Sequence, residues 1–385
     1  VRIALVAGEA SGDALGAGLI HALRERMPDA EFAGIGGPRM ADAGQLLWAE
    51  ADELAVMGLA EVLAHLPRLL RLRLRLYAEL AAWQPDVYIG IDAPDFNLGV
   101  ERVLKRRGVP TVHYVSPSIW AWRQSRAAKI GRSADLVLCL FPFEPALYEA
   151  HGVEAVFVGH PLAEQLPMEP AVYASRALLR LPIEGRVLAL LPGSRAGEIS
   201  RLGPVFLEVA RQLKLRLPKL TVVAPMASPR CLEQFRALTR PEHGVVLIEG
   251  QAQAVLQAAD AVLIASGTAT LEAALAKKPM LVAYKLHPLT YWLASRFKLL
   301  KTPWFSLPNQ LVGDFLVPER VQGQVTVETL LPLVEAMLTQ PPDPELIAEY
   351  RTLHESLKQD ADARAADAVM ALLAARTPPL AEPHP

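Results

Sequence analysis

Asp92, in the stretch IGIDAPDFN at residues 89–97, is the side chain best placed for proton transfer. It follows an apolar run and stands two residues before Pro94, which predicts the carboxyl edge of a strand and an extended, non-helical turn. Asp95, three residues on, is expected to cap the next helix. Two carboxylates this close at the edge of an apolar strand favour a raised pKa on one of them, which suits a general base. A purely structural turn is the competing reading.

A second stretch, AVLIASGTATLEAAL at 261–275, reads as a short strand, a turn at Ser266, Gly267 and Thr268, and a helix opening near Thr268–Thr270. Small side chains at such a turn let a phosphate reach the backbone, and a helix N-terminus supplies free N–H donors and a positive dipole end. Glu272, one turn into the helix, is placed to accept from a ribose. An ordinary strand-to-helix turn with a buried small-residue contact accounts for the same letters. The stretch LLPGSR at 190–195 repeats the strand-to-loop pattern. Gly193 and Ser194 offer backbone and hydroxyl donors, and Arg195 a cation with bidentate reach to a diphosphate. On the same sheet edge as the 266–270 turn it would complete a diphosphate cradle; a plain surface arginine is the alternative.

Two further stretches point to an acceptor. GEASGDALG at 8–16 joins a first strand to a first helix, but it is neither GxxxxGK[ST] nor GxGxxG. Its carboxylates, Glu9 and Asp13, argue against phosphate as the main ligand and for a sugar with hydroxyls to bind. Helix capping by Ser11 or Asp13 is the plainer reading. VHYVSPSIWAWR at 112–123 sets His113, Tyr114, Trp120, Trp122 and Arg123 beyond another strand. Exposed aromatics there would suit a sugar or lipid acceptor, although the tryptophans fit a core equally well.

These residues need elements to hold them. Apolar runs alternate with helical periodicity along the whole chain, which predicts parallel sheets with right-handed crossovers. Strands are expected at 2–8, 31–37, 85–91, 111–115, 136–140 and 155–158, then at 186–191, 220–224, 245–249, 261–265 and 279–283. The rhythm lapses over 160–184, where Pro161, Pro167, Pro170 and Pro182 cluster. The expected architecture is α/β, two Rossmann-like domains facing across a cleft. The first covers 1–165 and the second 166–344. Residues 345–385 form a helix, from about Glu345 to Ala375, and a Pro-rich tail.

With 385 residues the chain suits two cores, and 52% hydrophobic against 21% charged residues describes a packed globular protein. A net charge of −2 argues against a dedicated nucleic-acid binder. Cys139 and Cys231 have no metal-ligand spacing and fit a reducing cytoplasm. The N-terminus enters a strand at once, without a signal-peptide pattern, and no window has the apolar length to cross a bilayer. Asp360-Ala-Asp362 matches a metal-binding DxD by letters only and is assigned to a solvated helix face, so no metal and no cofactor is expected. The diphosphate would then be neutralised by a helix N-terminus and Arg195. Residues 61–79 include HLPRLLRLRLRLYAEL. The spacing of Leu59, Leu63, Leu66 and Leu70 predicts a helix. Arg68, Arg71, Arg73 and Arg75 among leucines suit an anionic bilayer surface, or a packed helix with a solvated charged face.

Taken together, GEASGD (8–13), GGPRM (36–40), ELAVMG (53–58), GIDAPDFN (90–97), HYVSPSIWAWR (113–123), FVGHP (157–161), LLPGSR (190–195), ASGTATLE (265–272) and SLPN (306–309) resemble, in order, the segments of the bacterial lipid A disaccharide synthases. The resemblance covers nearly the whole chain. It implies a GT-B fold and inverting transfer from UDP-2,3-diacylglucosamine to the 6-hydroxyl of 2,3-diacylglucosamine 1-phosphate (lipid X), at the cytoplasmic face of the inner membrane. It places the family's essential carboxylate on Asp92 and its essential arginine on Arg195, and matches Glu9, Ser11 and Asn309 to positions around the cleft. It also implies a peripheral membrane homodimer that exchanges C-terminal segments. On this reading Glu9, Ser11 and His113 position the acceptor. Gly193, Ser194, Arg195, Ser266, Gly267, Thr268, Thr270, Glu272 and Asn309 hold UDP. The chain departs from the family at Ala196-Gly197-Glu198 and in its Arg/Leu density over 68–76. A UDP-sugar epimerase of the same fold and a non-catalytic nucleotide-sugar module are the rivals.

Overall fold

A computed structural model describes residues 1–54, 59–117, 127–286 and 303–376, with side chains throughout these ranges except at Ala10 and 59–66. The chain divides into two compact units, Val1–Pro161 together with Leu357 onward, and Leu162–Ser356. In the first unit the order is β1 (Arg2–Ala7), α1 (Ala10–Arg26), β2 (Glu31–Gly36), α2 (Pro38–Asp42), β3 (Leu46–Glu50), α3 (Leu59–Trp83) and β4 (Val87–Ile91). It continues with α4 (Pro94–Arg106), β5 (Thr111–Tyr114), α5 (Ala127–Gly131), β6 (Leu136–Cys139), α6 (Glu144–Glu149) and β7 (Glu154–Phe157). The seven strands pair in parallel in the order β3-β2-β1-β4-β5-β6-β7.

Central strands buried on both faces must be apolar almost throughout, and β1 and β4 are. Alternate residues go to opposite faces. Ile3, Leu5, Val87, Ile89 and Ile91 pack with Leu19, Ile20 and Leu23 of α1. Ala4, Val6 and Tyr88 pack with Leu72, Leu76 and Leu80 of α3 and with Phe96, Val100 and Leu104 of α4. The edge strand β3, LLWAE, was not anticipated; its apolar run is only four residues long and it is only partly buried.

The second unit runs α7 (Pro161–Gln165), α8 (Val172–Leu178), β8 (Val187–Leu191), α9 (Ala196–Arg216), β9 (Thr221–Met226), α10 (Pro229–Leu238) and β10 (Val245–Glu249). It continues with α11 (Ala252–Ala258), β11 (Ala261–Ala265), α12 (Thr268–Leu275), β12 (Met280–Tyr284), α13 (Leu307–Val312), β13 (Glu319–Val321), α14 (Val327–Thr339) and α15 (Pro344–Leu357). Its six strands are parallel in the order β10-β9-β8-β11-β12-β13. β13, three residues with two charges, gives no apolar signal and was not anticipated. The proline-rich stretch is structured as α7 and α8. Arg176 of α8 is buried, donating to the carbonyls of Ala258, Ile183 and Gly185 and pairing with Asp260 at 2.8 Å.

The expected single C-terminal helix is two. It breaks at 358–360, where Asp360 has a left-handed φ of 57°, and α16 (Ala361–Arg376) follows. α16 packs on α1 of the same chain through Ala365, Ala366 and Val369, with Asp367 bonded to Arg26 at 2.6 Å. The DxD letters therefore straddle a helix break, and the Asp362 carboxylate lies where any side chain on Gly18 would be.

Asp13 has a structural task that the sequence reading allowed only as helix capping. Its carboxylate accepts from the amides of Gly37, Arg39 and Met40 at 2.8, 3.0 and 3.0 Å, so it caps α2 from α1. An Asp13→Ala chain strands those buried donors and loses about 3 kcal/mol of stability, read as an earlier urea unfolding transition. A transition unchanged from the parent would remove Asp13 from the scaffold.

Candidate functional site

In an open parallel sheet, ligands bind beyond the carboxyl ends of the strands where the strand order reverses, because the helices leave the two adjacent strands toward opposite faces. In the first unit that point lies between β1 and β4, and in the second between β8 and β11. The loops there are those of Gly8–Ser11 and Asp92 in one unit, and of Gly193–Arg195 and Ser266–Thr268 in the other. Four stretches singled out for their chemistry thus sit at two topological switch points.

Asp92 is half-buried and its carboxylate makes no hydrogen bond or ion pair with the described residues. The turn is not the extended one expected. Asp92 has φ 52° and Ala93 φ 43°, two successive L-residues in the left-handed region, a conformation that costs on the order of 1 kcal/mol or more per residue. Ala93, not Asp95, is the N-cap of α4, with no side-chain cap; Pro94 opens the helix, and Asp95 is exposed in its first turn. A side chain on Gly8 would come within 3.0 Å of Ala93 Cβ, so the β1 and β4 loops touch. Glu9 and Ser11 are both exposed beside this turn, on the N-terminal side of α1.

His113 is elsewhere than expected. Its side chain is fully buried, its Nδ1 2.7 Å from Glu101 Oε1, itself fully buried. Burial raises the Glu101 carboxyl above its ordinary range, with His113 opposing. His113 is therefore an interior group below the turn and has no surface to offer an acceptor. Glu101 was missed, because at one helical turn from Asn97 it reads as an ordinary charge on an amphipathic helix. Trp120, Trp122 and Arg123 lie outside the described residues.

At the second switch point, Gly193 has φ 116° and Gly267 φ 137°, backbone shapes that favour glycine. Arg195 is the N-cap of α9 and its side chain is 76% exposed. Its guanidinium lies 3.5 Å from Glu198, a pairing this exposed being weak enough to yield to a ligand. Glu198 Oε2 accepts from the amides of Ser194 and Arg195 at 3.1 and 3.3 Å, so the backbone donors expected to be open hold a carboxylate. A side chain on Gly193 would strike that carboxylate. Thr268 is exposed as the first residue of α12, where amides have no intrahelical acceptor. Glu272 is partly buried, has no hydrogen-bond or ionic partner among the described residues, and burial raises its carboxyl above the ordinary range.

Three residues expected to hold UDP are engaged in the scaffold. Ser266 Oγ donates to the Phe305 carbonyl. Thr270, buried, donates to the Gly267 carbonyl at 2.7 Å and accepts from the Leu307 amide at 3.1 Å. Asn309 is fully buried with every position used. Its Nδ2 donates to Val317 O and Glu319 Oε1, and its Oδ1 accepts from the amides of Leu316 and Val317. Glu319 also accepts from Phe305 and Ser306, so it fixes the segment beside the Ser266 turn. Among the described residues no group of three or more His, Cys, Asp or Glu is arranged around a common metal position.

Residues 3–367 match the family described as Lipid-A-disaccharide synthetase. A protein of Xanthomonas campestris pv. campestris (strain 8004) named lipid-A-disaccharide synthase is 56% identical over 383 residues, 97% of this chain and 87% of that one. The fold is also that of solved structures with far less sequence in common. The UDP-GlcNAc 2-epimerase of Neisseria meningitidis has a TM-score of 0.66 at 12% identity, over 97% of this chain and 100% of that one. The glycotransferase of kitacinnamycin has 0.64 at 16%, over 96% and 98%. These neighbours share the GT-B type of fold and, at such identities, nothing more is taken from them.

Asn309 gives a direct test of scaffold against ligand contact. Asn309→Ala leaves the Leu316 and Val317 amides unpaired, takes one donor from Glu319 and lowers stability by about 3 kcal/mol, read by thermal melting. A chain with unchanged melting and weakened UDP binding would return Asn309 to the ligand site.

Proposed function

Because this chain belongs to the lipid-A-disaccharide synthetase family of glycosyltransferases, we propose that it transfers 2,3-diacylglucosamine from UDP-2,3-diacylglucosamine to the 6-hydroxyl of lipid X with inversion. The observation that carries the chemical assignment is Asp92, a carboxylate without a partner among the described residues, held in a strained turn at a switch point. Asp92 takes the proton of the 6-hydroxyl as that oxygen bonds to the anomeric carbon. The bond from that carbon to the diphosphate oxygen breaks on the opposite face, and UDP departs with the electron pair. Glu9 and Ser11 bind acceptor hydroxyls. Arg195, the Ser194 hydroxyl and the amides of Gly267 and Thr268 at the start of α12 balance the diphosphate charge. Glu272 accepts from the ribose.

Both substrates carry acyl chains, and α3 supports a surface for them. Leu70 and Leu74 are 50% and 68% exposed, with Arg68, Arg71 and Arg75 exposed around them. No described helix is long and apolar enough to cross a membrane. The reading is of a peripheral protein on the cytoplasmic face of the inner membrane, α3 set against anionic headgroups. The homodimer implied by the family resemblance belongs to the same reading.

Asp92→Asn lowers kcat by about two to four powers of ten in a discontinuous assay of the disaccharide by mass; turnover within about tenfold of the parent would end the base assignment. Supplying the two lipids separately tests the reaction class. A transferase releases UDP only when lipid X is present, whereas an epimerase converts the nucleotide sugar alone. Replacing Arg71 and Arg75 together by Ala weakens partition onto anionic vesicles roughly thirtyfold, at about 1 kcal/mol per arginine. Undiminished partition would take α3 out of the membrane contact.

A further inference from the structure

The Asp92 turn needs something to hold it. Left-handed φ at two successive non-glycine residues persists only where the surroundings over-determine it. Here the Asp92 amide donates to the Tyr114 carbonyl on β5 at 2.8 Å. On its other side the Asp92 carbonyl accepts from Asn97 Nδ2 at 2.9 Å. Asn97 is fully buried. The same Nδ2 reaches the Val6 carbonyl at the end of β1 at 3.2 Å, and Asn97 Oδ1 accepts from Tyr88 OH at 2.9 Å. One carboxamide therefore joins the ends of the two switch-point strands to the peptide of Asp92. Gly90 makes room for it, since a side chain there would lie 2.8 Å from Asn97 Cβ and 2.3 Å from Glu101 Oε1. Glu101 in turn holds His113, the β5 residue paired with Gly90.

We propose that Asn97 is the positioning residue that holds Asp92 and Ala93 in the left-handed turn, and with it the Asp92 carboxylate in its working direction; this rests on the reading of Asp92 as the base. Asn97, fully buried, has no surface to offer a substrate. It acts through the backbone, and the Glu101–His113 pair fixes the strand beneath. The role makes a demand that packing alone does not. If Asn97 serves to keep a backbone shape that an L-residue resists, a residue that adopts the shape freely makes Asn97 less necessary. Glycine at 93 is that residue.

The experiment measures kcat and KM for both lipids, UDP affinity and melting temperature in the full chain. Asn97→Ala lowers kcat roughly ten- to hundredfold, with both KM values and UDP affinity within threefold of the parent. Adding Ala93→Gly to that chain restores kcat to within about threefold, while Ala93→Gly alone stays close to the parent. A folded Asn97→Ala chain with parental kcat overturns the proposal. So does a loss of kcat that Ala93→Gly leaves unrepaired, since Asn97 would then matter in some other way. Should Asn97→Ala not fold, Asn97→Ser, which keeps a small hydroxyl in the site, takes its place with the same rescue. Asp92→Asn is run beside them. Parental turnover in that variant marks failure of the base assignment, which is distinct from failure of the rescue.

Discussion

Helices leaving β1 and β4 must go to opposite faces of the sheet, and the placement of the functional groups follows from that constraint. α1 packs with Ile3, Leu5 and Ile89 on one side, while α4 packs with Val6 and Tyr88 on the other. The two loops part at the strand ends and leave their peptide groups facing a common space. Residues more than eighty positions apart become neighbours there, as the approach of Gly8 to Ala93 records. The second unit repeats the arrangement at β8 and β11, with different side chains and so with different chemistry.

The ends of buried strands also set a hydrogen-bond account that must close, because an unpaired buried peptide group costs as much as a lost bond. Short polar side chains close it. Asn97 serves the Asp92 carbonyl, Glu198 the amides of Ser194 and Arg195, Thr270 the Gly267 carbonyl, and Asn309 with Glu319 the segment beyond Phe305. Polar residues at the sheet edge thus fall into those already committed to the backbone and those left over. Among the described candidates, the side chains of Asp92, Glu9, Ser11, Thr268 and Glu272 carry no such commitment, and Arg195 has only its exposed pairing with Glu198. Residue type alone does not separate the two sets.

This division also explains how far the sequence was legible. Strands carried by an unbroken apolar run announce themselves, and 245–249, apolar up to its closing Glu249, and 261–265 have the expected bounds to the residue. β13 carries too little apolar surface to show, β3 has an apolar run of only four residues, and the left-handed Asp360 that splits the C-terminal helix has no letter signature. Of the candidate residues, the positions of Asp92 and Arg195 just beyond strand ends were legible from where apolar runs end. The pairing of strands that makes those ends a switch point was not, since crossover order is a property of the folded sheet. His113 reads as exposed only because Glu101, its buried partner, stands on another element, and the need for Gly90 appears only once α4 lies across β4.

The arginine-rich segment shows the same logic on the outside of the first unit. Read as letters, 71–76 is a uniform alternation of arginine and leucine. Folded, Leu72 and Leu76 are core, while Leu70 and Leu74 are exposed with Arg71 and Arg75. Arg73 differs from its neighbours. Its guanidinium donates to the carbonyls of Asp95 and Phe96 and lies 4.8 Å from the centre of the Phe96 ring. Those carbonyls belong to the first turn of α4, the turn that Ala93 caps and that Asp92 precedes. One arginine in the row therefore faces inward and ties α3 to the start of the helix that follows Asp92. The exposed leucines and arginines stand on an element fixed to that turn by two hydrogen bonds and a cation–π contact. On the proposed function, a bilayer held by the outer face of α3 would thereby be held in register with the Asp92 carboxylate.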